Sequence, residues 1–384
     1  MTLALEVTFW VALAVPIAVY VGYPLVVRTL ARVVAPRPAL ATEPWPSVTI
    51  AIAAHNEERD IERAIRSCLA QPYPGPAPSV LVGLDGCTDG TRAVLEAIGD
   101  PRLSYLELER GGKAATDNRL AAAATTEVIV TTAAGAELGP RTLERLCAPF
   151  RDPGVGCVSG VFAPRQDGSA ATRGEGGYWR SEQALMSAEA RLGMLATASG
   201  TCMGHRRAIF RPIPLDSDGD VAIAPNALLA GMRVIFEPGA IVHDDGPADL
   251  EAVLRNRRRM ALRALPTTVT FVARLLRKGR LRGAIGLLFH KLLRWLVPFA
   301  GLAWVAAAAA LAIRGDVLYA RLSLVLVVGG LLAGSLAWLA GGRYRGLASS
   351  FLVAQASFAL ATVDALLGRR ASMWTRPPGA PSGR

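Results

Sequence analysis

Apolar positions along this chain follow three rhythms. The first is a continuous run over Val7–Val27, FWVALAVPIAVYVGYPLVV with its neighbours, long enough to cross roughly 30 Å of hydrocarbon. The second fills Ser47 to about Asp245, where short apolar runs alternate with amphipathic ones. SVTIAIAA (Ser47–Ala54), VLVGLDG (Val80–Gly86), LSYLELE (Leu103–Glu109) and EVIVTTA (Glu127–Ala133) predict strands. EERDIERAIRSCLAQ, TDGTRAVLEAIGD with an N-cap at Thr88 or Asp89, and the Ala-rich segment after Lys113 predict the helices between them. VGCVSGVFA, a helical stretch from Tyr178 to Leu195, and RVIFEP follow. Such alternation predicts an α/β domain built on a mostly parallel, doubly wound sheet.

The third rhythm begins after Leu250. From Arg255 to Arg294 there is no acid, and basic residues alternate with apolar ones, as in a helix lying in a membrane interface. Three more spans are expected at Trp295–Ile313, Leu322–Ala340 and Leu347–Leu367, with Asp364 reaching the interface. The expected order is therefore an anchor (1–30), a linker (31–46) stiffened by Pro36, Pro38, Pro44 and Pro46, an α/β domain (47–250), a basic interfacial region (251–294), three spans (295–367) and a basic Pro/Gly-rich tail (368–384).

Charge gives this layout a direction. The formal net charge is +11 over 384 residues, and the lysines are only Lys113, Lys278 and Lys291. A basic excess suits nucleic acid or anionic lipid; because it flanks apolar spans, it selects lipid and argues against nucleic acid. Arg28, Arg32 and Arg37 follow the first run and no Lys or Arg precedes it, which places the next domain in the cytoplasm of a multi-pass inner-membrane protein. The missing A-x-A pattern makes the run an uncleaved anchor. Three later spans would put the C-terminus outside, whereas Arg369, Arg370 and Arg376 favour the inside; the sequence leaves that conflict open. Almost no charge lies within the spans, which argues against a transporter. The five cysteines show no metal spacing and read as reduced thiols.

In an open α/β sheet, ligands bind beyond the carboxyl ends of the strands. There stand His55, Asn56, Glu57 and Glu58 after the first strand, Asp85 after the second, and Gly111-Gly112-Lys113 after the third. A carboxylate at 85 suits a base N–H or ribose hydroxyls, although Asp-Gly is also a common turn. Lys113 opens a helix, so its ammonium and the helix amides can converge on a phosphate, although a solvated lysine explains it too.

As an ordered series, AAHNEERDIERAIRSCLAQPYP, LVGLDGCTDGT, RGGKAATDN, DPGVGCVSG, GYWRSEQALMSAEARLG and RPIPLDSDGDVAIAPNALLAGMRVIFEPGA closely resemble the catalytic domain of membrane-bound family 2 glycosyltransferases, the group of cellulose, chitin, hyaluronan and poly-N-acetylglucosamine synthases. The resemblance covers Ser47–Asp245, and the closing Trp374-Thr375-Arg376 looks like the same group's tail. It implies a GT-A fold that transfers a sugar with inversion from a nucleotide diphosphate, often UDP, to a growing polysaccharide or glycolipid. By analogy His55, Asn56, Glu57, Asp85 and Lys113 hold the nucleotide sugar, Arg258 and Arg259 meet the diphosphate or acceptor, and Mg²⁺ or Mn²⁺ assists. A partner subunit of a synthase complex is a further expectation.

The departures fall where the chemistry is concentrated. The family's acid-x-acid metal motif aligns on Ala133 and Gly135, which carry no donor. The later acidic pair aligns on Asp220-Val221, leaving Asp220 as the candidate base. Gln-x-x-Arg-Trp aligns on Asn256–Met260, where only Arg259 matches. Three accounts follow: an enzyme with rearranged groups, using Asp216, Asp218, Asp220 or His243-Asp244-Asp245, with Asp218 and His243 as substitute metal ligands; a nucleotide-sugar or glycan-binding scaffold for a partner enzyme; or a metal-independent transferase using a lipid-phosphate-linked donor, with basic residues taking the leaving charge.

Overall fold

The computed structural model of the chain describes residues 2–34, 41–165, 170–245, 250–339 and 342–369. Residues 370–384 of the expected tail (368–384), with Arg370 and Trp374-Thr375-Arg376, and Pro36 and Pro38 of the linker lie outside them. The four strands expected first are present as β1 (Val48–Ala54), β2 (Ser79–Asp85), β3 (Leu103–Leu108) and β4 (Val128–Ala133). After them come β5 (Glu137–Leu138), β6 (Val155–Pro164), β7 (Met203–Arg206) and β8 (Arg233–Asp244). They form one sheet in the order β3-β2-β1-β4-β7-β6-β8-β5. β3, β2, β1 and β4 run parallel, β7 is antiparallel to β4 and β6, and β6 is parallel to β8. The long strands therefore share one direction, and all end at one edge.

Alternation along β1 explains its central place. Ile50, Ile52 and Ala54 face Ile61 and Ile65 of α2 (Ile61–Leu69) and Leu95 of α3 (Thr91–Ile98). Ala51 faces the other way, with Leu81 and Ile129, onto Leu120 and Ala121 of α4 (Lys113–Ala123). The chain turns outward in both directions from β1 and β4, the switch point at which such sheets open a crevice. Cys68, Cys147, Cys157 and Cys202 are buried, and all five cysteines are free thiols, as expected.

Further helices cover the sheet and enter the apolar region. They are α5 (Thr142–Cys147), α6 (Ala170–Leu192), α7 (Gly219–Leu229) and α8 (Leu250–Arg277). Among the described residues, three helices are long and apolar enough to cross a membrane: the first, Thr2–Val33; α9, Leu281–Ile313; and α10, Val317–Leu339, over its Val317–Leu336 segment. Trp10, Leu302 and Leu331 stay exposed on them, while Phe9 packs on Ala307, Ala308 and Leu311. The stretch expected as a basic interfacial region folds as α8 and the first turns of α9, so the helix that carries the second apolar stretch starts at Leu281, ahead of Trp295.

The fourth expected span takes a different form. It lies within α11 (Gly342–Leu366), whose apolar stretch, Phe351–Leu366, is shorter than the other three. Ala361 is buried with Val221, Ala261, Ala264 and Trp295. Asp364, expected at the interface, is 4% exposed and pairs with Arg258 of α8 at 2.6 Å and with Arg369 at 3.2 Å. The end of α11 thus seals against the helix that borders the α/β domain.

Candidate active site

At the carboxyl edge of the sheet a cleft of about 720 Å³ opens between the strand ends and α8, with Lys291 of α9 in its wall. Of the residues expected there, it gathers His55, Glu57, Asp85, Lys113, Ala133, Gly135, Asp218, Asp220 and Arg259. Three others are placed elsewhere. Asn56, at φ 56°, accepts from the Thr88 amide at 2.8 Å and so ties the β1 loop to the β2 loop. Arg258 is held by Asp364, and His243 sits within β8 opposite Glu137.

Asp85 is 3% exposed at the tip of β2. Its carboxylate accepts from the Gly111 amide at 2.7 Å and the Gly112 amide at 3.0 Å, and it pairs with Arg110. Gly112 reaches this position at φ 83°, a left-handed conformation that favours glycine. His55 donates from Nδ1 to the Asp85 carbonyl at 2.7 Å, since a carbonyl only accepts. Asp85 thereby assembles the β2 and β3 loops beside the cleft. Lys113 pairs with Asp117 at 2.9 Å. Enclosure pulls its ammonium down, and Asp117, with Asp218 and Asp220, more than restores it.

Of the acid cluster, Asp216 lies in a turn outside the lining of the cleft. Asp218 precedes α7 and pairs with Arg263 at 2.8 Å, so its carboxylate is committed to that guanidinium rather than open to a metal. Asp220 lies in the first turn, and its Oδ1 is buried with no hydrogen-bond partner. Burial pushes the Asp220 carboxyl up to about 6, with Asp218 adding to the shift and Lys291 and Lys113 opposing it. A carboxyl poised there can take a proton near neutral pH. Burial pulls the Arg259 guanidinium down, against the pull of Asp218 and Asp220.

The loop after β4 offers a divalent cation nothing. Ala133 and Gly135 carry no donor, and a methyl group at 135 would stand 3.2 Å from Asp244 Oδ1. Burial pushes the Asp244 carboxyl up, and Asp245 and Asp60 add to this. Asp60 pairs with Arg63, and Asp245 with Arg165. Among the described residues no group of three or more His, Cys, Asp or Glu is arranged to hold a metal ion. The donor set does not fit the cation that the resemblance implied.

Sequence reasoning missed Arg263, Lys291, Asp117 and Arg110. Arg263 lies one helical turn beyond Arg259, a spacing visible in RRRMALR. Lys291, one of three lysines, stands alone in the apolar run LLFHKLL.

A model described as glycosyl transferase family group 2 matches residues 134–340, more than half of the chain. The chain belongs to that family. A second model, glycosyl transferase family 2, matches residues 49–213. N-acetylglucosaminyltransferases of Mesorhizobium japonicum (strain LMG 29417 / CECT 9101 / MAFF 303099) and Rhizobium meliloti (strain 1021) are each 26% identical, over 238 and 243 residues. Each alignment covers 57% of this chain and 56% of the relative, so the chain spans about half the length of the curated relatives it matches. Among solved structures, the mannosyltransferase PcManGT of Pyrobaculum calidifontis, in complex with GDP-Man and Mn²⁺, superposes with a TM-score of 0.68 at 25% identity, covering 94% of this chain and 100% of that one. The expected GT-A fold and family 2 transferase character are thus established for this chain. The narrower expectation of a cellulose, chitin or hyaluronan synthase subtype does not follow from these similarities.

Proposed function

We propose that this family 2 glycosyltransferase moves a sugar, with inversion, from a nucleoside diphosphate donor to a hydroxyl of a glycan or lipid presented at the membrane surface. The observation that carries the reading is Asp220 in the cleft, whose buried Oδ1 has no hydrogen-bond partner and whose carboxyl is raised to about 6 beside Lys113, Arg259 and Lys291. Asp220 takes the acceptor proton as the hydroxyl oxygen attacks the anomeric carbon. The bond from that carbon to the diphosphate breaks, and its electron pair leaves with the diphosphate. His55, Glu57 and the loops tied together by Asp85 would receive base and ribose, and Lys113 would lie near the phosphates. UDP-N-acetylglucosamine is the first donor to test, in view of the rhizobial relatives, and GDP-mannose the second, in view of PcManGT. The cleft lies between the α/β domain and α9, an arrangement that supports an acceptor delivered from the bilayer of an inner membrane.

The test is release of nucleoside diphosphate by detergent-purified protein given a panel of UDP- and GDP-sugars with membrane lipid extract. Turnover should fall by about 100-fold or more in Asp220→Asn, with donor affinity retained. Donor binding without turnover in the unaltered protein would favour the scaffold reading, which Ala133, Gly135 and Val221 support.

A further inference from the structure

The mismatch at Ala133 and Gly135 has a counterpart across the cleft. Most of the cations lining it are already matched: Arg110 with Asp85, Lys113 with Asp117, and Arg263 with Asp218. Arg259 and Lys291 differ. Both line the cleft, both act on Asp220 through space, and neither makes a hydrogen bond or salt bridge among the described residues. A cation drawn partly out of water without a counter-ion is costly, and its persistence points to an anionic ligand.

Lys291 is also held in place by the anchoring of its helix. His290, its neighbour in a π-helical turn (Leu288–Leu292), is 1% exposed. Its Nδ1 lies 2.7 Å from Glu189 and its Nε2 2.5 Å from Glu182, both carboxylates belonging to α6. Glu182 also pairs with Arg294 at 2.9 Å. Burial opposes charge on Glu182, yet Arg294 and His290 hold it well below the usual carboxylate range, so it stays an anion. This grip sets the rotation of α9 and keeps Lys291 on the cleft side.

We infer that Arg259 and Lys291 carry the charge of the leaving diphosphate, the task a divalent cation performs elsewhere in this fold. The inference rests on the nucleoside-diphosphate reading and specifies how its leaving group is stabilised. As the sugar–phosphate bond breaks, the diphosphate keeps the electron pair and gains one negative charge; the two cations neutralise it, and the acceptor proton resides on Asp220.

UDP and GDP are the probes, titrated calorimetrically into the full-length protein in detergent, with EDTA or with Mg²⁺ or Mn²⁺. Whichever nucleotide binds should do so within about twofold as tightly in EDTA as with metal. Lys291→Met and Arg259→Met should each weaken it about tenfold or more, while Lys291→Arg restores binding and Arg92→Met, at an exposed cation outside the cleft, changes nothing. Binding that disappears in EDTA, returns with Mn²⁺ and is lost in Asp244→Asn would overturn the inference in favour of a relocated metal, leaving the donor reading intact. Binding in EDTA that Lys291→Met leaves unchanged would overturn it as well. No binding of either nucleotide under any condition would remove the donor reading itself.

Discussion

A few titratable side chains govern how this protein answers pH. Asp220 must be ionised to accept a proton, so kcat/KM should rise with pH through about 6 and level off above it. A pH–rate profile checks this, and a flat profile down to pH 4 would exclude Asp220 as the base. His205 acts on stability instead. Its ring is 1% exposed, stacks on Phe210, and is pulled down by burial from 6.5 to about 4. A depressed histidine contributes stability that is complete above pH 6.5 and is lost as pH falls through about 4, on the order of 3 kcal/mol. Thermal unfolding between pH 7 and 4 should show this loss, and His205→Gln should flatten it. At this scale the sequence was informative about Asp220, Asp85 and Arg259, because each sits in a recognisable motif. It was silent on partners. No local pattern shows that Arg258 faces Asp364, 106 residues away, while Arg259 faces the cleft.

Individual elements were legible where apolar period and length agreed, as in β1, β2, β4 and α2. They were not legible where a short element is defined by its neighbours. β7, Met203–Arg206, is a four-residue strand of mixed composition that exists because β4 and β6 both pair with it. α7 follows the acidic LDSD and carries Pro225 inside it, neither of which marks a helix; burial of Val221, Ile223, Ala224 and Ala227 makes it one. The joint between α6 and α9 is the most demanding contact between elements. A methyl group at Gly286 would overlap the Met194 carbonyl, so the two backbones meet only because that position is glycine. Gly286→Ala should therefore cost about 1–3 kcal/mol through overpacking, read as a lower unfolding midpoint. It should also reduce nucleotide affinity, because it tilts Lys291 out of the cleft. Unchanged stability would mean the joint yields more easily than its geometry implies.

For the whole molecule, the sequence predicted an anchor, an α/β domain and a membrane-associated end, and it left the side of the last residues open. The packing of α11 offers an answer. Asp364 binds Arg258 on the helix bordering the α/β domain, and Tyr20 accepts from Gln355 at 2.7 Å where the first helix nears that domain. With three crossings, residue 369 would share a side with the catalytic domain, and the arginines after α11 would obey the positive-inside tendency. A reporter inserted after Gly315 should then label the opposite face from one fused after residue 369. The same face for both would restore a fourth crossing.

One further result follows from the single helix that runs from Leu281 to Ile313. Its first turns bring Lys291 into the wall of the cleft, and its later turns leave Leu302, Val305 and Ile313 exposed on a stretch apolar and long enough to cross a membrane, so the cleft and that apolar surface share one helix. A thicker or thinner bilayer shifts such a rod along its axis or changes its lean. Turnover in nanodiscs should therefore depend on acyl-chain length at constant headgroup, making the rate of sugar transfer a gauge of the sheet of lipid in which the protein floats.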